Sequence, residues 1–462
     1  MMEEKDLQGY KGRAREILQK FNVRVWGEAV IQSTRGEFKG RILPRAENTD
    51  DNHLVVKVIT GYNIGVAVDT ITDIKEVGYN VAKYAIPEKQ FPYTEGLPKV
   101  KLLGTGGTIA SRLDYRTGAV IPAFSPGELY GAVPELADIC NLETEKIFAV
   151  FSENMGPEQY IALAKKIGEE IEKGTQGIVI GHGTDTLHHT GAALSYMCQN
   201  LPIPVVLVGS QRSSDRPSSD AALNLMHAMT AAGHGNIAEV MVCMFGPTSD
   251  EYGLLHKGTR VRKMHSSYRS TFRTIGDTPL AMITRKGLTP IKKNFNPRRN
   301  DKNAIIKPYF SDSVTMVYYY TGMKPDVIDV LVDAGYKGIV FVGTGLGHVN
   351  KLIYPAIRRA QAAGVHMYMT LQTIWGYVQM YVYDTGRDMM AMGIIPLGNM
   401  LPEVAYVKLG WALGQTDDHA EVKRLMLTPI NDDITEREPY NGYLVYQGGV
   451  PEVEDFIKSV HK

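Results

Sequence analysis

Two short segments of the chain combine glycines with threonine hydroxyls in patterns suited to catalysis. One is Leu103-Gly104-Thr105-Gly106-Gly107-Thr108-Ile109-Ala110, and the other is Gly181-His182-Gly183-Thr184-Asp185-Thr186. Each follows an apolar run, residues 100–103 and residues 177–180, so each is predicted at the carboxyl end of a β-strand. Open α/β sheets bind ligands at that edge. Glycines let the backbone approach a ligand closely, and threonine hydroxyls serve as nucleophiles or hydrogen-bonding groups.

The chemistry that these residue types favour is attack of a hydroxyl on an amide. Such a reaction needs a nucleophilic oxygen, a group that removes its proton, donors for the oxyanion and anchors for the substrate. A threonine hydroxyl is a poor nucleophile near neutral pH unless a base or a relay activates it. Lys263 can be that base where a site desolvates its amine, with Asp185 orienting it.

The same segments have other interpretations. Residues 104–108 could form only a tight turn, and a dinucleotide site is disfavoured because the pattern is not GxGxxG and no ribose-binding acid is evident. Residues 343–347, Gly-Thr-Gly-Leu-Gly, are predicted to be a strand-to-helix turn. His182, His188 and His189 resemble a metal cluster at first sight, but no acid has the spacing of a zinc protease motif. We therefore predict no metal site and assign these histidines to packing or hydrogen bonding.

Length, charge and cysteine usage exclude several classes of protein. A chain of 462 residues predicts two or three domains. The 50 basic and 50 acidic residues cancel, which argues against nucleic-acid binding over the whole surface but leaves room for a local basic patch. Cys140, Cys198 and Cys243 lie among apolar neighbours and are predicted to be buried thiols. The charged N-terminus lacks a signal core and no apolar run reaches the ~18 residues that span a membrane, so we expect a cytoplasmic protein.

The chain changes rhythm along its length. Residues 1–95 contain a short helix and compact runs with turn signals between them, which predicts a small β-barrel accessory domain. Strands and helices then alternate, and the strands are almost continuously apolar, which predicts an α/β fold with a parallel sheet covered on both faces. The predicted body has three parts: residues 96–290 with both motifs, a linker at 291–310, and a smaller α/β domain with a C-terminal tail at 311–462.

Some predicted elements are specific enough to be tested individually. The strands predicted in the first domain cover residues 23–31, 36–43, 53–58 and 64–68. In the body, a helix is predicted over residues 187–200, and the charged, turn-rich residues 286–310 are interpreted as a solvated connector rather than a binding patch.

The two motifs and Lys263 together resemble the signature of the L-asparaginase family of amide hydrolases. Residues 99–413 are similar to a whole asparaginase-type enzyme, and further matching segments are residues 152–155, 205–212, 220–225 and 333–338. The resemblance implies that Thr108 is the acyl-accepting nucleophile and that Thr184, Asp185 and Lys263 form a hydrogen-bonded catalytic set. Which of the two threonines attacks first is left open.

The resemblance also implies how a substrate is held. Ser152 and Asp185 would bind the α-carboxylate and α-amino groups of the substrate, and Tyr115 would assist proton transfer from a loop. One departure is Gly156 in Met155-Gly156-Pro157, because the family pattern leads us to expect threonine before the proline. This change falls on a helix cap beside the substrate loop and leaves the nucleophiles untouched.

Simple asparaginases lack the leading 95 residues. That extension, together with residues 213–217 and 260–265, resembles the family of D-type subunits of archaeal glutamyl-tRNA(Gln) amidotransferases. The resemblance implies a homodimeric glutaminase, with L-glutamine or L-asparagine as the amide donor. It also implies a partner, the E-type subunit of the amidotransferase, that uses ATP and Mg to convert Glu-tRNA(Gln) into Gln-tRNA(Gln) and makes most of the tRNA contacts.

This chain itself is expected to hold no cofactor, because it contains no GxxxxGK[ST] phosphate loop. Two other functions remain as alternatives. One is a free-standing L-asparaginase with an accessory domain, and the other is a non-catalytic scaffold. The presence of Thr108, Thr184, Asp185 and Lys263 weakens the scaffold interpretation.

Overall fold

The computed structural model describes residues 3–45, 49–59, 63–79, 92–106, 111–113, 120–122, 133–212, 218–439 and 443. The chain divides into two compact units, residues 1–87 with 111–121, and residues 88–110 with 122–462. Among the described helices, none combines the length and apolar character required to cross a bilayer.

The first unit contains a small antiparallel sheet preceded by helix α1 (Gly12–Lys20). Its strands are β1 (Gly27–Ser33), β2 (Gly36–Ile42), β3 (His53–Val58), β4 (Asn63–Ala67) and β5 (Ile71–Tyr79). They are hydrogen-bonded in the order β4-β3-β2-β1-β5, so β1 pairs with both β2 and β5. Their inward-facing residues form a core that α1 joins through Ala14 and Leu18. The small β domain predicted for this end of the chain is confirmed.

Two details of that prediction were wrong. The strand predicted over residues 23–31 begins only at Gly27, because Trp26 has a φ of +72° and breaks the extended backbone. Strand β5 was not predicted, since its sequence, Ile-Thr-Asp-Ile-Lys-Glu-Val-Gly-Tyr, is rich in charge. Pairing with β1 holds it in the sheet all the same.

The remaining strands follow in chain order. They are β6 (Lys99–Gly104), β7 (Ser111–Leu113), β8 (Val120–Pro122), β9 (Asn141–Lys146), β10 (Gly177–Gly181), β11 (Cys198–Gln199), β12 (Val205–Val208), β13 (Val240–Phe245), β14 (Gly253–Lys257), β15 (Val261–Lys263), β16 (Phe272–Thr274), β17 (Ala281–Thr284), β18 (Gly287–Pro290), β19 (Ile305–Ile306), β20 (Val314–Tyr318), β21 (Gly338–Gly343), β22 (His366–Leu371) and β23 (Ile395–Pro396).

The other α-helices of the described residues cover the sheets. They are α2 (Pro157–Glu172), α3 (Leu187–Met197), α4 (Ala221–His234), α5 (Asp326–Asp333), α6 (Tyr354–Ala362), α7 (Asp384–Ala391), α8 (Pro402–Gln415) and α9 (His419–Leu427).

The second unit is built on an eight-stranded sheet of order β18-β17-β14-β13-β12-β10-β6-β9. The predicted parallel α/β sheet is confirmed for β9, β6, β10, β12 and β13. The residues of β6, β10, β12 and β13 are almost all buried, as expected for strands covered on both faces. The sheet continues through β14, β17 and β18, which are antiparallel. In the parallel part, Gly104 of β6 lies opposite Gly181 of β10, so the two motifs leave the sheet side by side.

One helix prediction in this unit was wrong. The helix predicted over residues 187–200 ends at Met197, because Cys198 and Gln199 turn into β11 and pair with β19. Asn200 then takes a left-handed φ of +50°, which terminates the helical path.

The connector predicted over residues 286–310 is solvated, since none of its residues is buried, but it is more ordered than expected. Its first residues form β18, the edge strand of the large sheet. Further on, the Arg298 guanidinium donates to the carbonyls of Ala232, 2.7 Å away, and Gly235, 3.1 Å away, at the end of α4. Arg298 therefore caps that helix, and its positive charge matches the negative end of the helix dipole.

The smaller parallel sheet has the order β20-β21-β22-β23, and one hydrophobic core joins it to the larger sheet. Helix α8 lies at that junction and is buried along most of its length. Its Trp411 stacks on Tyr196 of α3 at a ring-centroid distance of 5.7 Å. The three cysteines are buried and free, as predicted, and burial raises the pKa of the Cys140 thiol to about 12.

Candidate active site

The first motif is fastened to the second at the sheet edge. Thr105 donates from both its backbone nitrogen (3.0 Å) and its Oγ1 (2.9 Å) to the carbonyl of Gly181. The next residue, Gly106, has a φ of +111°, and a Cβ there would lie 2.3 Å from the Val150 carbonyl oxygen. Only glycine fits such a position, so the close approach of these backbones depends on Gly106.

The second motif brings three polar side chains into contact. Lys263 Nζ donates to Thr184 Oγ1 at 2.9 Å and to Asp185 Oδ1 at 2.7 Å. Thr184 is buried and the Lys263 side chain is only 9% exposed, whereas the Asp185 side chain is 68% exposed. The amine is therefore held on the protein side of the cluster, and the carboxylate faces the solvent, where a ligand can reach it.

Lys263 arrives from a distant part of the chain, at the end of β15. We call β15, β16 and the turn between them the lysine hairpin, residues 261–274. Just before it, the buried Arg260 guanidinium donates to the carbonyls of Ile275 (2.9 Å), Asn399 (3.0 Å) and Asp433 (3.1 Å). Thr259 also donates to the carbonyl of Asn431. These bonds anchor the hairpin to the C-terminal half of the unit.

Ser152 lies beside the same motif. It begins a short 3-10 helix, Ser152–Asn154, and is buried. The Thr186 hydroxyl donates to the Ser152 carbonyl at 2.6 Å, which ties this loop to the segment carrying Thr184. Helix α2 then starts at Pro157, and the Gly156 backbone N–H donates to the Gln159 side chain at 2.9 Å. Gln159 thus satisfies this helix start although Gly156 stands where threonine was expected.

The histidines near the motif are structural. Burial lowers the pKa of His182 to about 4, so its ring is neutral at pH 7. His182 Nδ1 lies 2.6 Å from the Gly183 carbonyl and donates to it, and Nε2 lies 2.8 Å from Thr190 Oγ1 and accepts from it. In the described part of the chain, no three side chains of His, Cys, Asp or Glu are grouped as a metal site would need.

The structure thus brings Thr184, Asp185 and Lys263 together and places Ser152 next to them. Thr108 and Tyr115 lie outside the described residues, as do residues 213–217. Sequence reasoning missed Arg260 and the bonds made by Thr105 and Thr186. No local pattern marks these residues, since their partners are 15 to 173 positions away in the chain.

This fold and this edge of the sheet define an asparaginase-type amidohydrolase. Residues 99–295 match the family "Asparaginase, N-terminal", and residues 313–426 match "Glutaminase/Asparaginase C-terminal domain". The thermostable L-asparaginase from Thermococcus kodakarensis has a similar structure, with a TM-score of 0.65 and 32% identity. The match covers 73% of this chain and 99% of that one.

The first unit narrows the family further, because residues 28–77 match "GatD N-terminal domain". The D-type subunit of the glutamyl-tRNA(Gln) amidotransferase from Pyrococcus furiosus is 46% identical over 414 residues, which cover 88% of this chain and 93% of the relative. The corresponding D-type subunit from Methanopyrus kandleri is 46% identical over 445 residues, 95% of this chain and 97% of the relative. The chain belongs to the family of D-type subunits of glutamyl-tRNA(Gln) amidotransferases, as its motifs predicted.

Proposed function

We propose that this chain is the glutamine-hydrolysing component of a glutamyl-tRNA(Gln) amidotransferase. It releases ammonia, which a partner protein uses to convert Glu-tRNA(Gln) into Gln-tRNA(Gln). The observation that carries the proposal is the contact of Lys263 with Thr184 and Asp185, on a body of asparaginase type that also has the D-type extension.

The reaction begins with attack of a threonine oxygen on the side-chain amide carbon of glutamine. We assign the acyl-accepting oxygen to Thr108 on the strength of the family resemblance. As Thr108 attacks, its hydroxyl proton passes to Thr184, and Thr184 gives its own proton to the uncharged amine of Lys263 across the 2.9 Å contact. Lys263 then returns a proton to the leaving nitrogen. The carbon–nitrogen bond breaks, ammonia leaves, and a threonyl ester remains. Water then hydrolyses the ester to glutamate and regenerates the hydroxyl.

The substrate's backbone groups need anchors of opposite charge and of hydrogen-bonding type. We assign the substrate α-ammonium to Asp185, because one oxygen is held by Lys263 while the side chain remains 68% exposed. Ser152 lies beside the same motif and is assigned to the α-carboxylate, and Tyr115 to assistance in proton transfer. Orienting the amide in this way lowers the entropy cost of attack.

We propose that the complex divides the chemistry between its two proteins. The E-type subunit binds ATP and Mg and makes most of the contacts to tRNA(Gln), and this chain holds no cofactor. This chain acts as a cytoplasmic homodimer, with residues 1–95 as an accessory domain and residues 291–310 linking the two parts of the body. A second candidate is a free-standing L-asparaginase, which is favoured by the 32% identity to the enzyme from Thermococcus kodakarensis. The first unit weighs against it.

An assay of amide hydrolysis separates the two candidates. Glutamine and asparagine hydrolysis are measured for the chain alone, and then with the E-type subunit, ATP and Glu-tRNA(Gln). Stimulation of glutamine hydrolysis and formation of Gln-tRNA(Gln) are expected. High asparagine hydrolysis by the chain alone, with no response to the E-type subunit, would favour the free-standing enzyme.

A further inference from the structure

The residue before the site lysine makes an ion pair with the C-terminal half of the unit. Arg262 Nη1 lies 2.6 Å from Glu403 Oε2 and donates to it. Successive residues of a strand point to opposite faces, so Arg262 and Lys263 leave β15 in opposite directions. One side of the lysine hairpin thus supplies the amine to Thr184, and the other side is held by helix α8.

Glu403 carries a carboxyl group at a buried position, which is unusual for a charged side chain. Its side chain is 4% exposed, and burial raises the pKa of its carboxyl while the Arg262 guanidinium opposes that rise. It lies in the first turn of α8, where the helix dipole favours a negative charge. Glu403 Oε1 has no hydrogen-bond partner among the described residues, and His188 Nε2 is 4.0 Å from it. A buried carboxylate that is only half satisfied costs stability, so a role other than packing explains it better.

The groups around this pair come from four elements. Asp185 precedes α3, and His188 and His189 lie in its first turn. Lys263 shares β15 with Arg262, Arg273 lies opposite Arg262 on β16, and Glu403 comes from α8. Burial lowers the pKa of His189 to about 4 and holds that of His188 well below its ordinary value, and the charges of Arg262 and Lys263 add to the effect on His188. Both rings are therefore neutral, and Glu403 is left as the anion that balances Arg262.

We propose that Glu403 is a positioning residue for amide hydrolysis: through Arg262 it fixes the lysine hairpin, and it balances the positive charge of Arg262, the residue that precedes Lys263 on β15. Without Glu403, Arg262 is an uncompensated cation one residue away from Lys263 in the chain, and its field disfavours a second positive charge on the Lys263 amine. Without Arg262, that repulsion is gone. The two losses therefore act on Lys263 in opposite directions. This inference rests on the proposed amide hydrolysis and on Lys263 as its base.

The test compares Glu403→Gln, Arg262→Gln and the double variant in the full chain with the E-type subunit, with glutamine hydrolysis followed from pH 5 to 9. Hydrolysis requires the uncharged amine, so its acidic limb reports on Lys263. For Glu403→Gln we expect kcat to fall about tenfold with KM within about twofold, and the acidic limb to move roughly one pH unit lower. For Arg262→Gln the limb should move higher, and in the double variant it should return toward that of the wild type.

Glu239→Gln is the matched control. Glu239 is as buried as Glu403 and lies 2.9 Å from Lys257 Nζ, but it contacts neither Arg262 nor Lys263, and Lys257 keeps its bond to Asp432. This variant should melt at a lower temperature and keep the wild-type pH profile. If Glu403→Gln does not fold, Arg262→Gln alone carries the test, since the Arg262 side chain is 32% exposed.

The inference would be overturned if the acidic limb of the pH profile stayed unchanged in folded Glu403→Gln and Arg262→Gln. It would also be overturned if the limb moved in the same direction in both variants. A shift of equal size in Glu239→Gln would have the same consequence. A wild-type complex that hydrolyses no glutamine would instead overturn the proposed function, and the two failures are thereby distinguished.

Discussion

Strands β10 and β21 occupy similar places in the two parallel sheets, and both run out into a glycine–threonine turn, residues 181–185 and residues 343–347. At the end of β21 the turn closes on itself. Thr344 donates from its nitrogen and from its Oγ1 to the carbonyl of His348, both at 3.0 Å, and the His348 nitrogen donates back to the Thr344 carbonyl at 2.9 Å. At the end of β10, Thr184 instead receives the Lys263 amine.

The two turns differ in whether a residue from a distant part of the chain contacts them. The β21 turn satisfies its own hydrogen bonds within five residues, so its threonine oxygen is already committed. The β10 turn is completed by a residue 79 positions away, which the C-terminal half holds in place through Arg260 and Arg262. A glycine–threonine segment at a strand end is therefore a necessary part of such a site, and the distant lysine is what gives it chemistry.

Removing the lysine should have the largest effect on this comparison. Lys263→Met keeps the length of the stem and removes the amine, and we expect glutamine hydrolysis to fall on the order of 10⁴-fold. Initial rates at saturating glutamine measure the loss. Lys337→Met, which removes a surface lysine just before β21 and its ion pair to Asp417, should leave the rate unchanged. If a folded Lys263→Met variant hydrolysed glutamine at a near-native rate, Lys263 would not be what distinguishes the β10 turn from the β21 turn.

The two threonines offer the next test, because valine replaces each with almost the same shape. Thr184→Val removes the oxygen that Lys263 contacts, and hydrolysis should fall about 10³-fold. Thr344→Val removes an oxygen that only closes a turn, so it should cost about 1 kcal/mol of stability and no activity. Rates and thermal melts of both variants check this pair. Equal losses of activity would show that the two turns do not differ as their hydrogen bonds indicate.

The same contrast explains how far the sequence could predict this molecule. The prediction that the body consists of almost continuously apolar strands is confirmed by β13, β21 and β22, because both of their faces are buried. Helix α8 was not predicted, since it is buried almost all round and shows no amphipathic stripe. Strands β14 and β17 were missed because they are short and antiparallel at the end of a parallel sheet.

In the candidate site, the sequence predicted the residues that directly follow a buried strand. Thr184 and Asp185 follow directly from a buried strand and a turn, and the roles assigned to Thr108 and Tyr115 stay predictions. That Lys263 meets them depends on Arg260, whose partners Asn399 and Asp433 are 139 and 173 positions further on. Hydrophobic periodicity carries no information about such tertiary contacts, so here the family resemblance, rather than the pattern, pointed to the lysine.

A smaller loss of activity is expected when the charge of Asp185, the carboxylate that also accepts a hydrogen bond from Lys263, is removed. Asp185→Asn keeps the size of the side chain but removes the charge that faces Lys263 at 2.7 Å and, in our proposal, the substrate ammonium. We expect kcat/KM to fall about 100-fold, with a rise in KM contributing, because a charged anchor is lost as well as an orienting group. Steady-state kinetics with glutamine measure both parameters. A fall confined to kcat would restrict Asp185 to orienting Lys263 and would remove it from substrate binding.

The smallest effect concerns the histidines behind the two turns, His182 and His348. Burial takes the pKa of His182 from its ordinary value of 6.5 to about 4, so the folded protein keeps this ring neutral where the unfolded chain protonates it. Between pH 6.5 and pH 4 the unfolded state thus binds more protons, and stability falls as the pH falls. At pH 5 the loss from His182 alone should be about 2 kcal/mol relative to pH 7.5.

In His182→Asn that share of the pH dependence should vanish, whereas His348→Asn should retain it. Denaturant unfolding of the three proteins at pH 7.5 and pH 5 measures the difference, and the other buried histidines cancel because all three share them. If the free energy of unfolding of His182→Asn fell as steeply with pH as that of the wild type, the His182 ring would have to take up protons in the folded state. The β10 turn would then exclude solvent no better than the turn that follows β21.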